Sequence, residues 1–101
     1  MNYYLNYKGY EQYMVYNCYE PSNRGVQYKF KFENGYGASV IKNVHSYGHE
    51  LDLWELAVLS YDSLGDSHLE CTTPISDDVK GWLTDANVRE LLEQIKRLNR
   101  S

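Results

Sequence analysis

A chain of 101 residues is long enough for one hydrophobic core without obligatory cross-links, and 43% hydrophobic with 24% charged residues is the composition of a single globular domain. Residues 51–80 hold seven carboxylates against one lysine within a formal charge of -4, a balance that argues against general nucleic-acid binding, which needs clustered cations to release counterions. No apolar run approaches the roughly 18 residues of a membrane span, and the N-terminal stretch lacks the basic start and apolar centre of a secretory signal, so no membrane partner is expected and Cys18 and Cys71 are expected as free thiols in the cytoplasm.

Eleven tyrosines are the compositional anomaly, and six of them fall at every third position: Tyr4, Tyr7, Tyr10, Tyr13, Tyr16 and Tyr19. A core stripe on an α-helix repeats at about 3.6 and a half-buried strand at about 2, so a strict three serves neither. On a helix these rings would circle the axis and define no apolar face. Tyrosine is a good strand former, and Gly9, Pro21 and the turn-rich SNRG at 22–25 bound two segments. Residues 1–25 are therefore expected to form two tyrosine-rich strands, 3–8 and 12–19, with Tyr13 and Tyr19 on one side and Tyr16 on the other.

Next, Val26, Tyr28, Phe30 and Phe32 alternate with Gln27, Lys29, Lys31 and Glu33, and Asn34-Gly35 supplies the positive φ angles of a tight turn. A β-hairpin follows, with a return strand over 36–44 in which Gly37 marks a bulge or the close approach of another backbone. HSYGHE, 45–50, reads as a loop. Residues 51–61 read as a strand, because Trp54, Leu56 and Val58 alternate; DSLGD at 62–66 is a turn, and 67–73 is the antiparallel partner.

After Pro74 the pattern becomes helical. Ser76 can cap a short turn in which Asp77 and Asp78 favour the helix dipole, with Trp82 and Leu83 as apolar anchors. Thr84 caps a last helix carrying Val88, Leu91, Leu92, Ile95 and Leu98 on one stripe. The expected fold is α+β within one domain, 1–101. An antiparallel sheet of about five strands, its body at 26–73, carries a C-terminal helix from the 75–98 region on one face.

The chain contains no phosphate-binding glycine loop, nucleophile elbow, CxxC pair or HExxH helix, so no enzyme, cofactor or catalytic residue is assigned. His45 and His49, with His68 or a cysteine, are the best metal candidates, yet their spacing lies in a loop with Gly48 and no metal site is assigned. Asp62 and Asp66 bracket a turn, a simpler use than paired-carboxylate catalysis. YKFKF at 28–32 resembles a strand on which single-stranded nucleic acid stacks, but its alternation equally sends Tyr28 and Phe30 into a core beneath solvated Lys29 and Lys31. Eleven phenols exceed what so small a domain can bury with every hydroxyl satisfied, and exposed tyrosine is a binding residue. A protein interface is expected at Tyr7, Tyr10, Tyr13 and Tyr16, with more than one of these rings exposed.

FKFENGYGASVIKN at 30–43, SYG at 46–48, DLWELAVL at 52–59 and TPISDDVKGWLT at 73–84 resemble a family of small proteins encoded by tailed bacteriophages, over roughly residues 26–98. The resemblance implies an accessory protein in the cytoplasm of an infected bacterium. Such proteins commonly bind a host protein, including components of defence systems in the manner of anti-CRISPR proteins. The acidic residues Asp52, Glu55, Asp62 and Asp66, with Glu70, Asp77 and Asp78, are a further candidate surface that could imitate nucleic-acid phosphates. The functional expectation is thus a non-enzymatic protein that binds a host protein. A homodimer and a nucleic-acid module built on 28–32 stand as the alternatives.

Overall fold

The computed structural model describes residues 3–46, 48–69 and 79–98. It is α+β, an antiparallel sheet with one helix packed on it. The strands are β1 Met14–Glu20, β2 Gly25–Lys31, β3 Tyr36–Lys42, β4 Trp54–Tyr61, β5 Ser67–Leu69 and β6 Lys80–Leu83, and the helix α1 is Asp85–Lys96. They pair in the order β1-β2-β3-β4-β5, and β6 also pairs with β4. β5 faces the C-terminal end of β4 at Leu59–Tyr61, and β6 faces its beginning at Trp54 and Leu56.

Alternation in β2 sorts the sheet into two faces as the sequence predicts. Tyr28 pairs with Val40 and Phe30 with Ala38, which continue to Leu56 and Val58 on β4. These residues, with Trp54, form the buried face. Lys29 and Lys31 project from the other. Across the buried face lies α1, whose Val88, Leu92 and Ile95 are fully buried. Its start is fixed by a reciprocal cap: Thr84 Oγ1 accepts from the Asn87 N–H, and Asn87 Oδ1 accepts from the Thr84 N–H, both at 3.1 Å.

Three local expectations are corrected. The first hairpin does not use a two-residue turn with positive φ at both centres; only Gly35 is positive, at 86°. Phe32 N–H donates to Tyr36 O and Gly35 N–H to Phe32 O, a three-residue loop ending in a left-handed glycine. Second, 80–83 is not helical but supplies β6, because the first half of β4 has an edge that β5 does not reach. Gly81 and Trp82 together oppose Glu55, a bulge that places Trp82 at φ 56°. The proposed cap Ser76, Asp77 and Asp78, and residues 70–73 of the predicted partner strand, lie outside the described residues.

Third, 3–8 is not a strand. Residues 3–13 form a strap that crosses the buried face beside α1, in the same direction as the helix. Tyr10 N–H donates to Tyr7 O at 2.9 Å and Tyr13 N–H to Tyr10 O at 3.0 Å, so two consecutive i to i+3 turns join one tyrosine to the next. The second of these turns is 3₁₀ over Glu11–Tyr13, while the first bends through Gly9 at φ 96°, so the repeat of three is set by two successive turns and not by one continuous helix. Tyr7 packs on Tyr28 and Phe30 with ring centroids 5.8 and 6.0 Å apart, and Tyr13 on Phe32 at 5.0 Å. From Met14 onward the period of two takes over. Tyr19 then turns to the buried side, where it meets Tyr3, while Tyr16 turns outward beside Lys29, as expected.

Candidate functional site

Polar bonds tie the strap to the rest of the molecule and remove most of its tyrosines from the surface. Leu5, fully buried, donates its N–H to Tyr28 Oη at 3.3 Å, and that hydroxyl donates to Tyr3 O at 3.0 Å. Asp85, at the first turn of α1, accepts from Trp54 Nε1 at 2.7 Å and from Asn6 N–H at 3.3 Å, so sheet, helix and strap meet at one carboxylate. Arg89 donates to Asn6 O at 2.8 Å. Further along, Tyr10 Oη donates to Glu93 Oε1 at 2.8 Å. Burial, then the bond and the charge of Glu93, push the Tyr10 phenol up to about 12. The Tyr10 hydroxyl and Arg97 hold the Glu93 carboxyl below its ordinary range.

Of the four tyrosines expected at an interface, Tyr7, Tyr10 and Tyr13 are half-buried and pack against the core, and Tyr16 is exposed. The expectation of more than one exposed ring among them is corrected: the exposed tyrosines among the described residues are Tyr4, Tyr16 and Tyr19. A helix lying parallel to the strap gives the 7-10-13 side something to pack on, which no property of the segment itself reveals. Val15, 56% exposed, joins Tyr16 at 44% and Tyr19 at 49% on β1. β1 pairs with β2 alone among the described residues, so its other edge presents unpaired backbone groups.

The acidic candidates do not assemble. The eight residues of β4 span about 26 Å at ~3.3 Å each, and they separate Asp52 from Asp62. Asp52 accepts from Lys42 Nζ at 3.1 Å; that lysine is itself buried, 4.2 Å from the centre of the Trp54 ring. Glu55 is buried on β4. Asp62 organises the β4–β5 hairpin: its Oδ1 accepts from the N–H groups of Leu64 and Asp66, and its Oδ2 lies 2.8 Å from His68 Nε2. The His68 bond first, then the Asp66 N–H, lowers its carboxyl below the ordinary value. Asp66 closes the same hairpin by accepting from Asp62 N–H.

The histidines have local work. His49 Nδ1 donates to Ser46 O at 2.8 Å, and His45 is exposed in the same loop. Among the described residues no three His, Cys, Asp or Glu side chains are grouped to hold a metal ion. Tyr28 and Phe30 are in the core, so the stacking strand imagined at 28–32 presents only its lysines to solvent.

Sequence reasoning missed the outer face of the sheet as a shaped surface. Lys29 Nζ lies 3.5 Å from Ser67 Oγ, although β2 and β5 are three strand spacings apart, about 14 Å in a flat sheet. The sheet is therefore strongly coiled, with its outer face concave. Gly37 makes this closure work, because a Cβ there would overlap the Phe30 carbonyl and meet the Tyr61 ring at 2.7 Å. Tyr61 lies across that gap, its hydroxyl 3.4 Å from Phe30 O. Comparison with family models, with curated proteins and with solved structures finds no match to this chain.

Proposed function

We propose that this chain is a non-enzymatic binding protein that engages a protein partner through the β1 side of its sheet. The observation that carries the reading is the free edge of β1, flanked by exposed Val15 and Tyr16 on the outer side and by the half-exposed ring of Tyr19 on the other. Large amphipathic rings beside unpaired backbone groups supply both apolar area and hydrogen bonds to an incoming chain. Asp62–His68 has two members of a hydrolytic triad, but it stands on an exposed hairpin, and no serine or cysteine bonds to that imidazole among the described residues. The motif resemblance alone supplies the setting: a phage accessory protein in the bacterial cytoplasm that inhibits or modulates a host protein, such as a defence component.

Tyr16→Ser combined with Tyr19→Ser tests the reading. The double variant is expected to melt within a few degrees of the parent and to capture a partner from bacterial lysate at least tenfold less well, about 1.4 kcal/mol. Undiminished capture would place the interface elsewhere. Sedimentation of the parent alone separates a host partner from a second copy: a concentration-dependent dimer abolished by the same substitutions would make the partner this chain itself.

A further inference from the structure

We propose that the concave outer face holds an extended acidic peptide segment of the partner, seated in the groove between the two free sheet edges. This rests on the reading of the protein as a binding module. The groove has a volume of about 400 Å3 and is lined by Val15 of β1, Lys29 and Lys31 of β2, Tyr61 of β4, and Asp66 and Ser67 of the β4–β5 hairpin. β1 and β5 each pair on one side only among the described residues, so both present backbone donors and acceptors of the kind an added strand uses.

The charge on the groove selects the segment. Among the described residues neither Lys29 nor Lys31 has a carboxylate within ion-pair distance. Lys29 Nζ donates to the neutral Ser67 Oγ at 3.5 Å and stands 5.5 Å from the Tyr16 centroid, and Lys31 Nζ stands 5.4 Å from that of Tyr61. Two positions apart on one strand, they repeat at about 6.6 Å, the repeat of alternate side chains on an extended peptide. Carboxylates at i and i+2 of such a peptide therefore meet both lysines in register. Asp66, the one carboxylate lining the groove, leaves it a net positive charge from Lys29 and Lys31. A nucleic-acid strand fits less well, because Tyr28 and Phe30 are buried, Tyr61 is 9% exposed and the residues lining the groove offer no open row of rings for bases.

The test measures binding of the full chain to a labelled decapeptide alternating glutamate and threonine, to its glutamine counterpart, and to a thymidine decanucleotide. The glutamate peptide is expected to bind at least tenfold more tightly than either, and to slow amide exchange over 15–19 of β1. Lys29→Gln with Lys31→Gln is expected to remove at least tenfold of that affinity, while Lys29→Arg with Lys31→Arg, which keeps both charges, retains it and controls for folding. Tighter binding of the oligonucleotide overturns the proposal, as do equal binding of the glutamine peptide and no binding at millimolar peptide. A glutamine double variant that still captures its lysate partner in full overturns the groove but leaves the β1 edge standing as the interface.

Discussion

The carboxamide of Asn34, in the turn between β2 and β3, reaches the far end of α1 and donates to the carbonyls of Ile95, Lys96 and Leu98 at 2.8, 3.1 and 2.9 Å. Its own Oδ1 accepts from Tyr36 N–H at 3.0 Å. A residue that reads as a turn former is thus also the C-terminal cap of a distant helix. Asn34→Ala should cost about 1–2 kcal/mol in chemical denaturation, the penalty for stranding partly buried carbonyls. Tyr10 makes the corresponding bond from the strap. Its folded phenol, at about 12, lies above the ordinary value near 10. The stabilisation from this raised pKa is whole below about pH 10 and is lost as pH rises toward 12, because the unfolded chain ionises first. The melting temperature of the parent should therefore fall more steeply between those values than that of Tyr10→Phe.

At the level of elements, the hairpins and α1 depend on short-range chemistry, and the strap on what it lies against. Leu5 is its anchor, with no exposed surface, yet it is the one aliphatic residue in the stretch 2–13, where no periodic apolar stripe marks it as core. Leu5→Ala should cost about 2–5 kcal/mol by lost burial and the cavity left behind, measured by denaturant titration. A much smaller loss would mean that the strap contributes little to the fold. β6 teaches the same lesson from the other end. Four residues, KGWL, carry no decisive period, and only the open edge of β4 makes them a strand.

Across the whole molecule, the residues from strap, sheet and helix belong to one buried cluster, from Leu5 through Phe30 and Trp54 to Leu92. One core predicts one cooperative transition. Leu92→Asp should abolish it, because a carboxylate would be buried in that cluster without a partner; a melt unchanged from the parent would refute the packing of α1. With strap and helix both on one face, the opposite face keeps, among the described residues, only the cover that its own curvature provides. Among the described residues that asymmetry leaves the outer groove and the β1 edge uncovered.

The sequence by itself determined the alternation of 26–32, the loop at Asn34-Gly35, the Thr84 cap and the stripe Val88, Leu92 and Ile95. It also put Tyr28 and Phe30 on the face opposite Lys29 and Lys31, and Tyr16 on the side opposite Tyr19, while leaving open which side is the core. Each follows from periods and caps spanning a few residues, whose energetics do not depend on distant chain. Only the tertiary structure decided which tyrosines are surface. Tyr7, Tyr10 and Tyr13 are held by partners 19 to 83 residues away, Tyr28, Phe30, Phe32 and Glu93 among them. The separation of Asp52 from Asp62 and the curl that brings Lys29 to Ser67 were likewise decided there. Coiling accumulates over several strands and close approaches such as that at Gly37, so no local stretch of chain encodes the groove.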